Sequence, residues 1–201
     1  MISLVLPATQ CSHNFENLKS YVDIVDNVLL YDTGLTKSEI IKIRKIFKRV
    51  ELVNKTFIDY SKMRNSAIYY CKKILNPKWI IMIDDSWEIN RIQRQDILNC
   101  KGDSIIGLIN VENKLYPCER IFRISAFECY EGKVNEQLKL KQCSKRMCLN
   151  EVLFIDKHLD PKRSLKYRNP LVNWADDRQC YYQKELYRRL INDEITSLFR
   201  E

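Results

Sequence analysis

The sequence predicts an α/β fold in which a mostly parallel sheet is flanked by helices. The first observation is a series of four short apolar runs, each rich in Ile, Leu and Val and each followed by a polar turn. The second is that helix-patterned segments separate the runs, and this alternation is typical of parallel sheets with right-handed crossovers. The runs are Ile2–Leu6, Asn27–Tyr31, Arg49–Val53 and Trp79–Ile83.

The polar turns after these runs are expected to share one edge of the sheet. In open α/β sheets the ligand crevice lies outside the carboxyl ends of the strands. The turns are Pro7, Asp32-Thr33-Gly34, Asn54 and Asp84-Asp85-Ser86. Two of them carry carboxylates, which suits a phosphate-bearing ligand with a divalent metal.

Two helices have recognisable starts. Thr36 and Glu39 have the spacing of a capping box, which predicts a helix beginning beside the second run. A second helix is predicted from Tyr60 to Leu75, with Asp59 or Ser61 as its N-cap.

The second half of the chain has weaker patterns. Strands are predicted over Ser104–Val111, Arg120–Ser125 and Phe127–Tyr130, and residues 143–168 are mixed and poorly periodic. Residues 176–199 have a helical pattern again, which predicts a short helical appendage at the C-terminus.

Composition fits a globular domain with an appendage. Of the 201 residues, 45% are hydrophobic and 30% are charged, which is ordinary for globular proteins. No apolar run approaches 20 residues, so no membrane span is expected, and the first residues lack the charged flank of a signal peptide. Eight irregularly spaced cysteines then favour reduced thiols and a cytoplasmic location.

The net charge of +8 indicates a second class of function, the binding of anionic partners. Basic surfaces attract polyanions, anionic membranes and phosphorylated ligands, and the cations concentrate in residues 37–49 and 139–146. A solvated helix face is the simpler interpretation of the first stretch. Because the aromatic residues fall mostly at apolar positions, a nucleic-acid-binding protein is the more distant alternative.

A zinc module is a further alternative. Cys143 and Cys148, with Cys118, Cys129 and His158, could supply ligands. Zinc sites usually have tighter paired C-x2-C spacing, which argues against this interpretation.

Several segments, in chain order, resemble the family-2 glycosyltransferases, whose Rossmann-like nucleotide-sugar-binding fold is called GT-A. The similarity is to the short form with a V-D-T-G-S-T-D turn, a D-(F/Y)-S-x-x-R-N helix start and an L-D-A-D-E strand end. The matching segments are Leu30-Tyr31-Asp32-Thr33-Gly34-Leu35-Thr36-Lys37, Asp59-Tyr60-Ser61-Lys62-Met63-Arg64-Asn65 and Ile83-Asp84-Asp85-Ser86-Trp87-Glu88. Residues 119–123, 130–136 and 158–169 resemble the family's E-R-x-F-R, Y-x-G-x-V-H-E and H…K-x-x-R-N segments.

The resemblance implies a GT-A domain over residues 1–172 and an appendage over residues 173–201. It implies transfer of a sugar from a nucleoside-diphosphate donor, linked to UDP or GDP, to an acceptor hydroxyl, with an inverting outcome. The acceptor is left open between protein, lipid and glycan.

The donor-binding residues implied by the resemblance are Asp32, Gly34, Arg64, Asp84 and Asp85. Asp32 would hold the nucleoside through its carboxylate, Gly34 would let the backbone turn beside the ligand, and Arg64 would support the phosphate edge. The structural alternatives are an Asx turn at Asp32 and a salt bridge from Arg64 to Asp84 or Asp32.

The resemblance places a Mn²⁺ or Mg²⁺ site at Asp84 and Ser86, with His158 as a further ligand. Oxygen ligands suit these hard cations, and substrate phosphate completes the shell. Ser86 replaces the second acid of the family's D-x-D turn. Because neighbouring side chains of an extended segment point opposite ways, Asp85 does not simply substitute for that acid.

Glu136 matches the acid of the V-H-E segment and is the expected general base for the acceptor hydroxyl. Asn135 stands at the family's histidine, so Lys37, Ser86 and Asn135 each replace a charged or ligating residue of the family. The main alternative is therefore a catalytically inactive relative that binds nucleotide sugars and acts as an interaction protein.

Overall fold

The computed structural model describes residues 1–8, 15–111, 114–132 and 137–157. The strands of this part are β1 Ile2–Ala8, β2 Asn27–Asp32, β3 Val50–Asn54, β4 Trp79–Met82, β5 Trp87–Ile89, β6 Ser104–Val111, β7 Lys114–Arg123, β8 Phe127–Glu131, β9 Gln137–Leu140 and β10 Arg146–Asp156. The α-helices are α1 Lys37–Ile46, α2 Tyr60–Ile74 and α3 Arg94–Asn99, and a 3-10 helix covers Glu16–Tyr21.

Eight of these strands form one sheet in the order β3-β2-β1-β4-β7-β6-β10-β5. The pairs β2–β3, β1–β2, β1–β4 and β6–β10 are parallel, whereas β7 and β5 are antiparallel to their neighbours. Strands β8 and β9 form a separate antiparallel pair. The prediction of an α/β fold with a mostly parallel sheet is confirmed.

Helices cover both faces of the sheet. Side chains alternate across β1, so Leu4 and Leu6 pack in one apolar cluster with α1, α3 and the 3-10 helix. Val5 faces the other cluster, which contains α2 and the β8–β9 pair. Parallel strands that are buried on both faces in this way consist of continuous apolar runs. For this reason the first four strands can be recognised in the sequence.

Both helix starts follow from the sequence. The Thr36 hydroxyl accepts from the N–H of Glu39, and the Glu39 carboxylate accepts from the N–H of Thr36 at 2.7 Å, so the capping box is confirmed. Asp59, rather than Ser61, caps α2 by accepting from the N–H of Lys62 at 2.8 Å.

Three elements differ from the predictions. The first crossover is a 3-10 helix rather than an α-helix, and the strand expected at Arg120–Ser125 is the C-terminal part of Lys114–Arg123. Strand Arg146–Asp156 lies within residues 143–168, where the sequence is poorly periodic and no strand was predicted. Its register shifts between Cys148 and Phe154 interrupt the alternation of side chains by which a strand is recognised.

Within the described ranges, no helix has the length and apolar character that a membrane crossing requires. The helical pattern at residues 176–199 and the boundary at residue 172 lie outside those ranges. The two-domain division therefore stays a prediction.

Candidate functional site

The strand order reverses beside β1. From β1 the chain crosses to β2 and β3 on one side, and it then returns to β4 on the other side. Such a switch point opens a crevice outside the carboxyl ends of the strands. Asp32 and Asn54 end β2 and β3, and Asp84 follows β4, so the structure brings these three polar turns to the same edge, as predicted.

The carboxylate of Asp32 is buried and organises the turn after β2. One oxygen accepts the N–H groups of Gly34 and Leu35 at 2.8 and 2.7 Å, and the other accepts the side-chain amide of Asn54 at 3.0 Å. Gly34 has a φ of 142°, a conformation that favours glycine. The geometry is that of the Asx turn, and contact between Asp32 and a nucleoside stays a prediction.

The buried Arg64 forms an ion pair with the half-exposed Asp84. The distance from Arg64 Nη2 to Asp84 Oδ1 is 2.6 Å, and the side chains are 2% and 39% exposed, respectively. The salt bridge considered from the sequence is therefore present. Because Arg64 is buried beneath Asp84, its charge acts on the crevice mainly through that carboxylate rather than by direct contact with a ligand.

The segment Asp84–Trp87 is a turn, as the polar residues after the fourth run predict, so the rule that neighbouring side chains of an extended segment point opposite ways does not apply to Asp84 and Asp85. The C=O of Asp84 accepts the N–H of Trp87 at 3.1 Å, because β4 ends at Met82 and the chain reverses towards β5. The side-chain amide of Asn17 holds the turn by donating to the C=O of Asp85 and of Trp87 at 2.8 and 2.9 Å.

The turn offers a divalent cation a small donor set. Asp84 carries its half-exposed carboxylate, whereas Asp85 and Ser86 are buried. In the described part of the chain, no group of three His, Cys, Asp or Glu side chains is arranged to hold a metal. Asp84 with Ser86 therefore fits a cation only in the manner of Mg²⁺ sites that take one or two protein ligands and complete the shell with phosphate and water.

Asn65, which the sequence places beside Arg64 in the first turns of a helix at the crevice edge, joins α2 to β8. Its side-chain amide donates to the C=O of Tyr130 at 2.9 Å and accepts the N–H of Tyr130 at 2.6 Å. Consecutive residues of α2 thus contact two parts of the site, since Arg64 reaches the turn after β4 and Asn65 reaches β8. The signal in the sequence is the Arg-Asn pair itself, which sits one turn into a helix.

Arg120 lies in the segment that resembles E-R-x-F-R, and it is the site residue to which the sequence assigned no role. Its guanidinium carbon lies 5.4 Å from the ring centroid of Trp87 and 5.6 Å from that of Tyr130. Since β7 runs antiparallel to β4 and pairs Phe122 with Ile80, Arg120 comes level with the carboxyl end of β4. The register of β7 against β6 passes from Ile121 to Glu119 and leaves Arg120 as the extra residue of a bulge, which a strand assignment starting at Arg120 does not reveal.

Two predicted site residues, Glu136 and His158, lie outside the described residues. The structure does describe the base of the segment that carries Glu136, where Glu131 and Gln137 are paired across β8 and β9. The assignments of Glu136 as a base and of His158 as a metal ligand stay predictions.

The buried thiol and phenol near the site are poor nucleophiles. Burial raises the pKa of Cys118 to about 12, and burial also raises the pKa of Tyr21 well above its usual value. Both groups stay protonated at neutral pH, and the thiolate is the reactive form of cysteine. The geometry therefore offers neither group as a covalent catalyst.

Comparisons with known proteins give structural similarity only. No family model and no curated protein matches the sequence. A crystal structure of S. aureus TarS matches this protein at 14% identity with a TM-score of 0.47. The match covers 78% of this chain and 36% of the TarS chain. A structure of TarS 1-349 in complex with UDP-GlcNAc matches at 11% identity with a TM-score of 0.48, covering 79% of this chain and 59% of that one.

Two other solved structures are similar to part of this chain. HddC from Yersinia pseudotuberculosis is 14% identical, covering 83% of this chain and 97% of that chain with a TM-score of 0.49. Glucosyl-3-phosphoglycerate synthase from Mycobacterium tuberculosis is 16% identical, covering 54% of this chain and 43% of that chain with a TM-score of 0.38. The chain thus spans about a third to three fifths of the TarS chains, and this degree of likeness concerns the α/β architecture alone.

Proposed function

We propose that this protein is a glycosyltransferase that moves a sugar from a nucleoside-diphosphate donor to an acceptor hydroxyl. The observation that carries the proposal is the meeting of the Asp32 turn and the Arg64–Asp84 ion pair at one edge of the sheet, beside the switch point at β1. A crevice at such a point is where open α/β sheets bind nucleotides. The ordered series of segments that resembles the family-2 glycosyltransferases supports the same function.

In this proposal each polar turn has one task. Asp32 and Gly34 shape the turn that faces the nucleoside, with the Asp32 carboxylate as the acceptor for its base or ribose. Asp84 and Asp85 face the diphosphate, and Arg64 fixes Asp84 in place. UDP and GDP are the donor nucleotides that we expect.

Asp84 and Ser86 would hold Mn²⁺ or Mg²⁺, with His158 as the additional ligand. When bound, such a cation offsets the charge of the departing nucleoside diphosphate. The Arg64 guanidinium already balances the charge of Asp84, so the affinity for the cation in the absence of nucleotide should be low.

Glu136 would take the proton from the acceptor hydroxyl. Transfer with inversion needs a carboxylate on the acceptor side, so that the hydroxyl oxygen attacks the anomeric carbon as its proton leaves. The clamp between Asn65 and Tyr130 anchors β8, and the segment that contains Glu136 follows that strand.

Thermal unfolding with UDP, GDP and their sugars, each with and without Mn²⁺, tests the proposal. A ligand that binds only the folded state at about 100 times its Kd adds about 2.7 kcal/mol, which corresponds to roughly 5–10 °C for a chain of this size. Asp84→Asn should lose the shift relative to its own melting temperature, whereas Asp23→Asn, an exposed acid before β2, should keep it. The absence of a shift with every nucleotide would contradict the proposal.

A catalytically inactive relative that binds nucleotide sugars is the second candidate. The observation that favours it is the buried, neutral Ser86 at the position of the family's second acid. Such a protein would show a nucleotide shift that Mn²⁺ does not change, together with no release of nucleoside diphosphate from the donor. Release of nucleoside diphosphate that depends on Glu136 would decide for the enzyme.

A further inference from the structure

Exposed cations accumulate between β2 and α2. Seven are exposed, and they are Lys37, Lys42, Arg44, Lys45, Lys48, Arg49 and Lys55. The acids of the same stretch are engaged, since Glu39 is buried in the capping box and Glu51 lies 3.8 Å from Arg49. Apart from Arg49, the cations of residues 37–49 make no ion pair with any residue that the structure describes.

Large apolar side chains are exposed in the same stretch. Ile41 is 54% exposed, Phe57 44% and Ile58 68%. A single exposed apolar residue is ordinary, but here four of them, including Leu52 at 38%, are interspersed with cations. We call this set, the exposed residues of 37–58, the basic apolar edge.

The fold places the basic apolar edge at one side of the sheet. Strand β3 is the outermost strand beside β2, and α1 connects these two strands. Lys37, Ile41 and Lys45, spaced four residues apart, share the side of α1 opposite Ile43, which packs in the core. Residues 55–58 follow β3 at its carboxyl end, and therefore lie at the same sheet edge as the turns of the candidate site.

We propose that the basic apolar edge binds the surface of an anionic lipid bilayer. Lysines and arginines are attracted to acidic head groups, while aliphatic and aromatic side chains between them bury apolar area at the head-group boundary. Both requirements are met by residues that the folded domain already exposes. The inference does not depend on the proposed glycosyltransferase activity.

Charge and side-chain chemistry argue against two other binding partners of the basic apolar edge. A second copy of the chain would bring two strongly basic surfaces together, and like charges at an interface are unfavourable. A nucleic acid would use the cations and could stack a base on Phe57, but it gains little from Ile41 and Ile58.

Co-sedimentation of the full chain with vesicles tests the proposal. Vesicles of phosphatidylcholine with phosphatidylglycerol should carry the protein down at low salt, and pure phosphatidylcholine vesicles should not. Since each cation near an anionic surface contributes about a factor of five, the pair Lys42→Gln and Lys45→Gln should weaken binding about 30-fold. The control pair Lys72→Gln and Lys73→Gln, exposed on α2, removes the same charge and should leave most of the binding.

An apolar substitution separates a membrane from other polyanions. Ile41→Gln should weaken vesicle binding several-fold, whereas Ile74→Gln, at an exposed position of α2, should not. No sedimentation with the anionic vesicles, or equal losses in the test and control variants, would overturn the proposal. The proposal would also be overturned if Ile41→Gln left vesicle binding unchanged and a 30-nucleotide RNA bound the protein as tightly as the vesicles do. That result would assign the basic apolar edge to nucleic acid. Because vesicles contain no nucleotide sugar, a negative result here leaves the proposed enzyme function untouched.

Discussion

Arg64 and Asp84 join helix α2 to the end of strand β4 through an ion pair of 2.6 Å. The arginine is buried and the carboxylate is half-exposed. The pair therefore connects the interior of the domain to the crevice, and the two residues are coupled in stability as well as in any binding of ligand.

Replacing Asp84 by Asn should cost stability as well as ligand binding. The substitution removes a charged partner of the buried Arg64 guanidinium, and because Asp84 is 39% exposed, the cost should be about 1–2 kcal/mol, less than that of a fully buried pair. Urea unfolding at neutral pH measures the loss. Asp23→Asn is the control and should change stability by less than about 0.5 kcal/mol.

A double-mutant cycle checks the physical reason. In the background of Arg64→Met, Asp84→Asn should cost much less than it does alone, because no buried cation remains. Equal costs of Asp84→Asn in both backgrounds would refute the coupling.

Replacing Asn65 by Ala should loosen strand β8 from α2. The two hydrogen bonds between the Asn65 amide and the Tyr130 backbone are lost, which costs roughly 2 kcal/mol. Hydrogen exchange at the Tyr130 amide should accelerate more than exchange in β1. Asn65→Asp keeps an acceptor for the Tyr130 N–H but opposes its C=O with another oxygen, so it should also destabilise; a variant as stable as the native protein would contradict the clamp.

Replacing Gly107 by Ala should destabilise the sheet between β6 and β10. A Cβ at this position would lie 2.3 Å from Cγ and Cδ1 of Leu153, and overpacking of this kind costs about 1–3 kcal/mol. The melting temperature measures the effect. In the double variant with Leu153→Ala, the added cost of Gly107→Ala should disappear, and additivity of the two changes would show that the clash is not the cause.

Asp26 should contribute to stability in a pH-dependent way. Burial raises its pKa, but the N–H of Ile2 at 2.7 Å and the guanidinium of Arg94 at 2.8 Å lower it, and the net shift of the pKa is downward. A carboxyl group with a lowered folded pKa stabilises the protein above its unfolded pKa of about 4, and this contribution is lost as pH falls through the folded value.

The free energy of unfolding of Asp26→Asn and of the native protein should therefore differ most near neutral pH and converge in acid. Urea titrations at several pH values between about 2 and 7 cover the range in which the carboxyl titrates. Asp23→Asn, which removes an exposed acid three residues away, serves as the control for the loss of one negative charge. A difference that does not change with pH for Asp26→Asn would show that its carboxylate is not selectively stabilised in the folded state.

The elements that the sequence predicts well are those whose pattern is local. Strand Ser104–Val111 has the predicted bounds, and the helix capped by Asp59 ends within one residue of the expected position. Strand β10 was not predicted because its register shifts break the alternation. The turn after β4 was predicted because Asp84, Asp85 and Ser86 directly follow an apolar run, and the strand ends one residue before the expected position.

The sequence by itself determined the first four strands, the helices α1 and α2 with their capped starts, and the polar turns that share one sheet edge. These depend on spacing within a few residues and on the general geometry of parallel sheets. The tertiary structure decided that Arg64 pairs with Asp84, that Asn65 holds Tyr130 and that Arg120 stacks beside Trp87. These partners are brought together from 20 to 65 residues apart by the packing of α2, β7 and β8, and such pairings are set by the burial of whole faces rather than by any local pattern.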